Sequence, residues 1–261
     1  MAASPRGASW RRLASAAALA AAVAACSEAP VTGRNQLMLV SEDEVRDMGL
    51  QAYQEILSKN QVVTGTPEAA MVKEVGRRIA AVADTSGMQW EFNLIQDDTP
   101  NAFALPGGKV GVHTGMFKVA RNDAQLAAVM GHEIAHATAH HVSERMSREA
   151  LVQTGLGVIG ATTTGANYAD LLAAAATLGV VLPFSRAQEA EADEIGMIYM
   201  ARAGYDPRAA VDLWRNMASA GGETPPEFMS THPANETRIE RLQSMLPRAT
   251  AEYQRARGGP A

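Results

Sequence analysis

One short stretch constrains this chain most: GHEIAHATAHH at residues 131–141, where four histidines and one carboxylate fall within eleven positions. It contains an H-E-x-x-H run, His132 to His136, and residues four apart on a helix lie on the same face. Both imidazoles therefore suit ligands of a tetrahedral zinc. Glu133 lies on the flank, where it can take a proton from a zinc-bound water without ligating the metal.

Two histidines and a base do not complete such a site, so a third ligand must come from elsewhere in the chain. The continuation used by metzincins would need Gly at 139 and His at 142, but the sequence has Ala139 and Val142. His140 lies a further turn along the helix and would have to distort it to reach the same metal. The third ligand is therefore expected outside this helix.

The stretch SRAQEAEADEIGMIYM at 185–200 holds the better candidate. Glu189 and Asp193 are four apart on one helix face, together with Gly196 and apolar residues. Buried carboxylates need a metal or hydrogen-bond donors, and a glycine on the same face lets another helix approach closely. We predict Glu189 as the third ligand and Asp193 as an acceptor that orients a ligand imidazole. Glu191 points about 200° away and is the weaker choice.

The first 25 residues are predicted to be a signal peptide, because three arginines precede an apolar, alanine-rich run. The run ends in VAAC, which resembles a bacterial lipobox, and its Cys26 is the only cysteine in the chain. We expect Cys26 to be lipidated. Ser27 rather than aspartate follows, which is typical of outer-membrane lipoproteins. The alternative is cleavage at a small-x-small site that leaves a free thiol.

Composition bounds the rest of the chain. With 261 residues, 47% of them hydrophobic, it is long enough for one sizeable domain. A net charge of −5 argues against nucleic acid as a partner. We expect an extended lead-in over 26–40, a folded domain over 41–247, and a disordered tail over 248–261. Only Asp170 is charged within 150–184, but the glycines, threonines and amides there favour a buried or membrane-facing helical pair over a transmembrane span.

Five stretches together resemble the M48 family of zinc metallopeptidases, in the group of bacterial lipoproteins related to the mitochondrial Oma1 and the Ste24/HtpX proteases. They are VTGRNQLMLVSEDE at 31–44, NAFALPGGKVGVHTGMF at 101–117, GHEIAHATAHH at 131–141, SRAQEAEADEIGM at 185–197 and STHPANETRIERL at 230–242. The resemblance implies an α+β, mainly helical zincin-like (gluzincin) domain with a small antiparallel sheet beside the active-site helix.

The resemblance also implies one zinc per chain, held by His132, His136 and Glu189, with Glu133 as general base. Where family members often have Arg-His, this chain has His140 and His141. We therefore expect His141 to have the structural role beside the ligands and His140 to be incidental.

The implied activity is that of an endopeptidase acting on misfolded or unassembled envelope proteins, at the periplasmic face of the outer membrane and anchored through Cys26. GKVGVHTG at 108–115 is predicted either to offer a strand edge to an extended substrate or to be a plain structural strand. His232 has three open roles: hydrogen bonding to the oxyanion, a latch on the open metal position, or a helix-entry residue. Two alternatives to the peptidase are a non-catalytic periplasmic chaperone that retains zinc and an intramembrane protease that spans the bilayer with 150–184.

Overall fold

The computed structural model describes residues 26–83, 87–159, 184–220, 228–229, 232 and 236–258. The strands are β1 Cys26–Glu28, β2 Asn35–Leu37, β3 Val62–Val63, β4 Glu91–Ile95, β5 Ala102–Leu105 and β6 Lys109–His113. The helices are α1 Glu42–Lys59, α2 Pro67–Ala80, α3 Asp123–Thr138, α4 His141–Ile159, α5 Arg186–Arg202, α6 Arg208–Ala220 and α7 Glu236–Ala256. The expected α+β, mainly helical class with a small sheet is confirmed.

The two helices that carry the predicted ligands begin at capping side chains. The Asn122 side chain accepts a hydrogen bond from the Gln125 N–H at the start of α3. Ser185 and Gln188 form a reciprocal capping box at the start of α5. Because these caps satisfy backbone donors that a helix start leaves open, they fix the residue at which each helix begins. They therefore also fix which face of each helix is turned inward.

Four strands form the main sheet in the order β3-β4-β6-β5, with β4 and β6 parallel and the other pairs antiparallel. The sheet packs against α2 through β4 and against α3 through β5. Strand β6 is the strand of GKVGVHTG, and it lies between β4 and β5 with four of its five residues buried. Of the two alternatives for this stretch, the plain structural strand is therefore confirmed and the substrate edge is wrong, since the sheet edge beside α3 belongs to β5. In the sequence, β5 and β6 are both short apolar runs, so the hydrophobic pattern does not predict their order in the sheet.

Helices α3 and α5 form the centre of the core and pack closely against each other where Gly131 meets Gly196. This is the close approach that Gly196 predicted. Helix α3 is buried along nearly its whole length, from Gln125 to Thr138. The contact sets the predicted ligands of the two helices side by side.

The two ends of the folded part differ from expectation in detail. The predicted lead-in over 26–40 contains strands β1 and β2, which pair as an antiparallel hairpin. The tail does not begin at 248: α7 continues through Pro247 to Ala256, and Ala249 is fully buried. Ion pairs to α5, such as that between Arg202 and Glu252, hold this polar segment, and a local sequence pattern cannot reveal partners so far away in the chain.

Residues 160–183, most of the predicted apolar helical pair, lie outside the described residues. Among the helices that are described, none is long and apolar enough to cross a membrane.

Candidate metal centre

The structure brings the three predicted ligands together in the core. The Nε2 atoms of His132 and His136 lie 3.1 Å apart on one face of α3. Glu189 reaches them from α5, with Oε2 3.5 Å from His132 Nε2 and Oε1 3.3 Å from His136 Nε2. All three side chains are buried. The spacing predicted on each helix therefore becomes one cluster.

These separations fit a tetrahedral metal. Donor atoms at about 2.0–2.1 Å from a tetrahedral zinc lie about 3.3–3.4 Å from one another. In the described part of the chain, a single group of possible ligand atoms from His, Cys, Asp and Glu lies mutually within 4.8 Å: those of His132, His136, Glu189 and His232. Two histidines and a glutamate are also a donor set that catalytic zinc sites use with one position left open.

The charge of Glu189 suits the same role. Although burial raises the pKa of this carboxyl, the charge and hydrogen bonds of the surrounding histidines hold it far below its usual range. The Arg238 guanidinium adds a contact of 2.9 Å between Nη1 and Oε2. The glutamate is therefore ionised at neutral pH and ready to bind a cation.

Glu133 lies beside the cluster and outside it. Its Oε2 accepts a hydrogen bond from the Ala104 N–H of β5 at 3.2 Å. Its Oε1 is buried, makes no hydrogen bond within the described residues, and lies 3.5 Å from His232 Nε2. Burial raises the pKa of Glu133 to about 7. A carboxyl with one free oxygen and a pKa near neutrality can both accept and release a proton.

Asp193, the predicted orienting residue, contacts His132. The Nδ1 atom of His132 lies 3.1 Å from Asp193 Oδ1, so Nε2 is left to face the other ligands. Two arginines hold the aspartate, with contacts of 2.6 Å from Arg238 and 2.9 Å from Arg241. Although burial raises the pKa of Asp193, the charge of Arg238 and the hydrogen bond to His132 hold it well below its usual range.

His136 contacts His141, the residue expected to have the structural role. The two Nδ1 atoms lie 2.8 Å apart, and His141 Nε2 lies 3.1 Å from Glu191 Oε2. His141 is fully buried, and burial lowers its pKa. The Phe184 ring stacks on His136 at a centroid distance of 4.0 Å. Glu191 lies outside the group of clustered donor atoms, but it is buried and contacts His141.

Arg238 is the functional residue that sequence reasoning missed. It is one of the largest fully buried side chains, contacts Glu189, Asp193 and His132, and lies over the Trp214 ring at 3.4 Å. The only available signal was an arginine on the inward face of the amphipathic helix in NETRIERL, and a lone arginine on such a helix is more often exposed. Two carboxylates on another element decide its burial.

His232 lies within the cluster. Its Nδ1 is 2.8 Å from Glu189 Oε1 and 3.1 Å from His132 Nε2, and its ring packs against Phe228 at a centroid distance of 4.5 Å. The nitrogen thus occupies ligand spacing on the side that faces Glu133. This placement makes a plain helix-entry role insufficient for His232.

Two residues that were considered from the sequence, His140 and Cys26, lie outside the cluster of possible ligand atoms. His140 adopts a left-handed backbone conformation with φ of 48°, is partly exposed, and lies 3.7 Å from the Glu42 carboxylate. It lies outside the group of clustered donor atoms. Cys26 is the first residue of β1.

Comparison with known proteins agrees with the geometry. Residues 67–246 match peptidase family M48. The chain is 37% identical to the mitochondrial metalloendopeptidase OMA1 of Schizosaccharomyces pombe over 227 residues, 84% of this chain and 66% of that protein. It is 33% identical to OMA1 of Saccharomyces cerevisiae over 249 residues, 88% of this chain and 71% of that protein.

A bacterial relative is more distant. The beta-barrel assembly-enhancing protease of Yersinia pestis is 31% identical over 197 residues, 70% of this chain and 40% of that protein. The chain thus spans about two thirds of the fission-yeast relative and less than half of the Yersinia one. The family match and the relatives confirm the expected relation to Oma1: this chain belongs to peptidase family M48.

Proposed function

We propose that this protein is a zinc-dependent endopeptidase that cleaves unfolded or misassembled proteins. One observation carries the proposal: three donor atoms at tetrahedral spacing lie beside a buried carboxyl whose second oxygen makes no hydrogen bond within the described residues. Membership of family M48 supports it, as do relatives named as metalloendopeptidases. A purely structural zinc site has no use for a general base beside its ligands.

His132, His136 and Glu189 would hold the zinc, which when bound polarises a peptide carbonyl and makes water a stronger acid. Glu133 Oε1 takes the proton of the attacking water and later passes it to the leaving amine. Its Oε2 stays on the Ala104 N–H, which keeps the carboxyl in place through both transfers. Asp193 and His141 hold the two ligand imidazoles in orientation.

The substrate would bind along β5. This strand is the outer strand of the described sheet, lies beside α3, and pairs with β6 on its other side. An extended peptide can pair with such an edge by main-chain hydrogen bonds, which favours unfolded segments over particular sequences. A cavity of about 210 Å³ next to it can take a substrate side chain; its lining includes Glu42, Ala104, Pro106, His136, His140 and Val142.

In this conformation His232 acts as a latch. Its Nδ1 lies at ligand spacing from Glu189 and His132, on the side where water and the substrate carbonyl must enter. An imidazole that binds the metal there excludes both. Its release would open the site without changing the three remaining ligands. The oxyanion role requires the ring to move away from Glu189 first.

The proposed location is the periplasmic face of the outer membrane of a bacterial envelope, with a lipid on Cys26. The basic and apolar residues before VAAC support this, together with relatives from Yersinia and Vibrio that are named for β-barrel assembly. Mitochondrial relatives offer the competing location. Fractionation of cells that produce wild type and Cys26→Ala separates them. The proposal expects wild type in the outer membrane and the variant released from it, and the same fraction for both would contradict the anchor.

Cleavage of a urea-denatured outer-membrane β-barrel protein tests the proposed activity. The assay compares wild type, Glu133→Gln and Glu194→Gln, each with its zinc content measured. Glu194 is a matched control, because it lies on α5, pairs with Arg248 and does not touch the centre. We expect one zinc per chain in all three, equal cleavage by wild type and the control, and a loss of about 10²-fold or more in Glu133→Gln.

The competing chaperone function gives a different result in the same assay. If wild type and Glu133→Gln both bind zinc, and neither cleaves the substrate while both keep it soluble, the protein is a zinc-containing chaperone. The latch must be removed for this outcome to be conclusive, so His232→Ala is assayed in parallel.

A further inference from the structure

The hairpin at the start of the described chain reaches into the metal centre. Arg34, in the turn between β1 and β2, places Nη2 2.6 Å and Nε 2.8 Å from Glu191 Oε2. The Thr32 hydroxyl donates to Glu191 Oε1 at 2.6 Å. The guanidinium also binds both oxygens of the buried Glu144, at 2.7 and 2.8 Å. Residues more than 150 positions upstream of Glu191 therefore fix its carboxylate.

Glu191 in turn determines which nitrogen of each histidine carries the proton. An ionised carboxylate only accepts hydrogen bonds, so His141 Nε2, 3.1 Å away, must be the N–H donor to it. The His141 Nδ1 is then an acceptor in the neutral ring, and it faces His136 Nδ1 at 2.8 Å. His136 accordingly donates from Nδ1 and keeps a lone pair on Nε2. That is the tautomer a ligand at Nε2 requires.

We infer that Arg34 and Thr32 are positioning residues for the metal ligand His136, acting through Glu191 and His141. The inference rests on the proposed zinc site and deepens it. The two ligand imidazoles differ in this respect: His132 meets its carboxylate, Asp193, directly. The Nδ1 atom of His136 meets a carboxylate, Glu191, through the imidazole of His141, and the hairpin holds that carboxylate.

A second contact ties the hairpin to the same place. The buried Gln36 side chain of β2 donates to the Ala139 carbonyl, at the end of the helix that carries both histidines. Ser147 of α4 accepts from the Leu39 N–H, just after the hairpin. The hairpin thus holds the turn between His136 and His141, and so fixes the relative position of their two imidazoles. Removal of the hairpin is expected to loosen the metal ligand before it unfolds the core.

Zinc affinity tests the inference without reference to peptidase activity. It is measured by competition with a chelator for wild type, Glu191→Ala, Glu191→Gln and the control Glu194→Ala. Loss of a group that orients a ligand typically weakens metal binding about 10- to 100-fold, which is the loss expected for Glu191→Ala. Glu191→Gln retains an oxygen that can accept from His141, so it should bind zinc more tightly than Glu191→Ala. Glu194→Ala should bind like wild type.

The visible spectrum of the cobalt-substituted protein separates positioning from a general loss of stability. A change in ligand orientation shifts the cobalt bands of the folded protein, whereas lower stability alone does not. The bands should shift in Glu191→Ala and coincide with wild type in Glu194→Ala. If Glu191→Ala does not fold, Arg34→Gln replaces it, because that side chain is a third exposed. For Arg34→Gln we expect the same weakening of zinc binding and the same shift of the cobalt bands.

Two results are distinct failures. Wild type that binds no zinc would overturn the proposed function. Wild type that binds zinc, with Glu191→Ala or Arg34→Gln folded and equal to it in affinity and cobalt spectrum, would overturn the positioning role alone.

Discussion

Gly131 and Gly196 face each other so closely that no side chain fits between them. A Cβ atom on Gly131 would lie 2.8 Å from the Gly196 carbonyl oxygen, and one on Gly196 would lie 2.7 Å from the His132 amide nitrogen. The contacts are with backbone atoms, which cannot move aside as a flexible side chain can. This approach of α3 and α5 is what brings Glu189 to the two histidines.

Gly131→Ala is therefore expected to destabilise the protein by about 1–3 kcal/mol through overpacking. In the interior of an ordinary helix, a change from glycine to alanine stabilises by about 0.5–1 kcal/mol. The sign of the change in unfolding free energy therefore shows whether the two helices are in contact. Urea unfolding of the zinc-free protein measures it, and zinc affinity should fall as the helices separate. A gain in stability would mean that the two helices are not in backbone contact.

Arg238 and Arg241 offer a matched pair, because both bind Asp193 but only Arg238 is fully buried and also binds Glu189. Arg238→Met leaves the buried Asp193 without its main counter-charge and removes one contact from Glu189, and such losses cost about 3–5 kcal/mol. Arg241→Met removes one partly exposed contact and should cost about 1 kcal/mol or less. Thermal unfolding compares the two variants, and equal losses would contradict the central place given to Arg238.

Acid should weaken the link between the hairpin and α4 through Glu144. Although burial raises the pKa of this carboxyl, hydrogen bonds and charge from Arg34 hold it below its usual value of 4.5. As the pH falls, Glu144 therefore takes up a proton in the unfolded chain before it does so in the folded protein. The stabilisation is complete above about pH 4.5 and is lost as the pH falls through the lower folded value.

Wild type should accordingly lose more stability than Glu144→Gln between pH 6 and pH 3.5. Urea unfolding in EDTA measures the difference, since metal release then contributes to neither protein. A difference in unfolding free energy that stays constant over this range would show that Glu144 is not ionised against Arg34.

His232→Ala distinguishes the latch from the oxyanion role. If the latch is closed in nine molecules out of ten, its removal raises the cleavage rate about tenfold, because the competent fraction limits the apparent activity. Loss of an oxyanion donor would instead lower the rate by about 10²–10³. Initial cleavage rates of the zinc-loaded proteins decide between them, and an unchanged rate would contradict both roles.

Much of the metal centre could be predicted from the sequence, because its residues follow the regular spacing of an α-helix. The helical spacing of four residues identified two pairs, His132 with His136 and Glu189 with Asp193. Gly196 predicted the close contact of the two helices that carry them. These inferences needed only the geometry of a single helix. The order of the strands did not follow, since β5 and β6 are both short apolar runs around one turn.

What escaped prediction depends on partners distant in the chain. Helical position makes Glu191 only the weaker ligand candidate, and the local pattern does not predict a buried Arg238. The burial of Arg238 depends on Asp193 and Glu189, and that of Glu191 depends on Arg34 and His141. The segment after Pro247 likewise reads as a polar tail, yet its helix packs through Ala249. No local pattern reveals which carboxylate a distant arginine will meet.

The most direct test of the proposed endopeptidase is isotope incorporation in water enriched in ¹⁸O, with a denatured β-barrel protein as substrate. The proteins compared are zinc-loaded His232→Ala and the double variant His232→Ala with Glu133→Gln, so that the latch does not limit either. We expect internal peptide bonds to be cleaved by the first protein, with one ¹⁸O in each new carboxylate, and a rate at least about 10²-fold lower in the second. Cleavage by neither protein, with one zinc bound to each, would contradict the account.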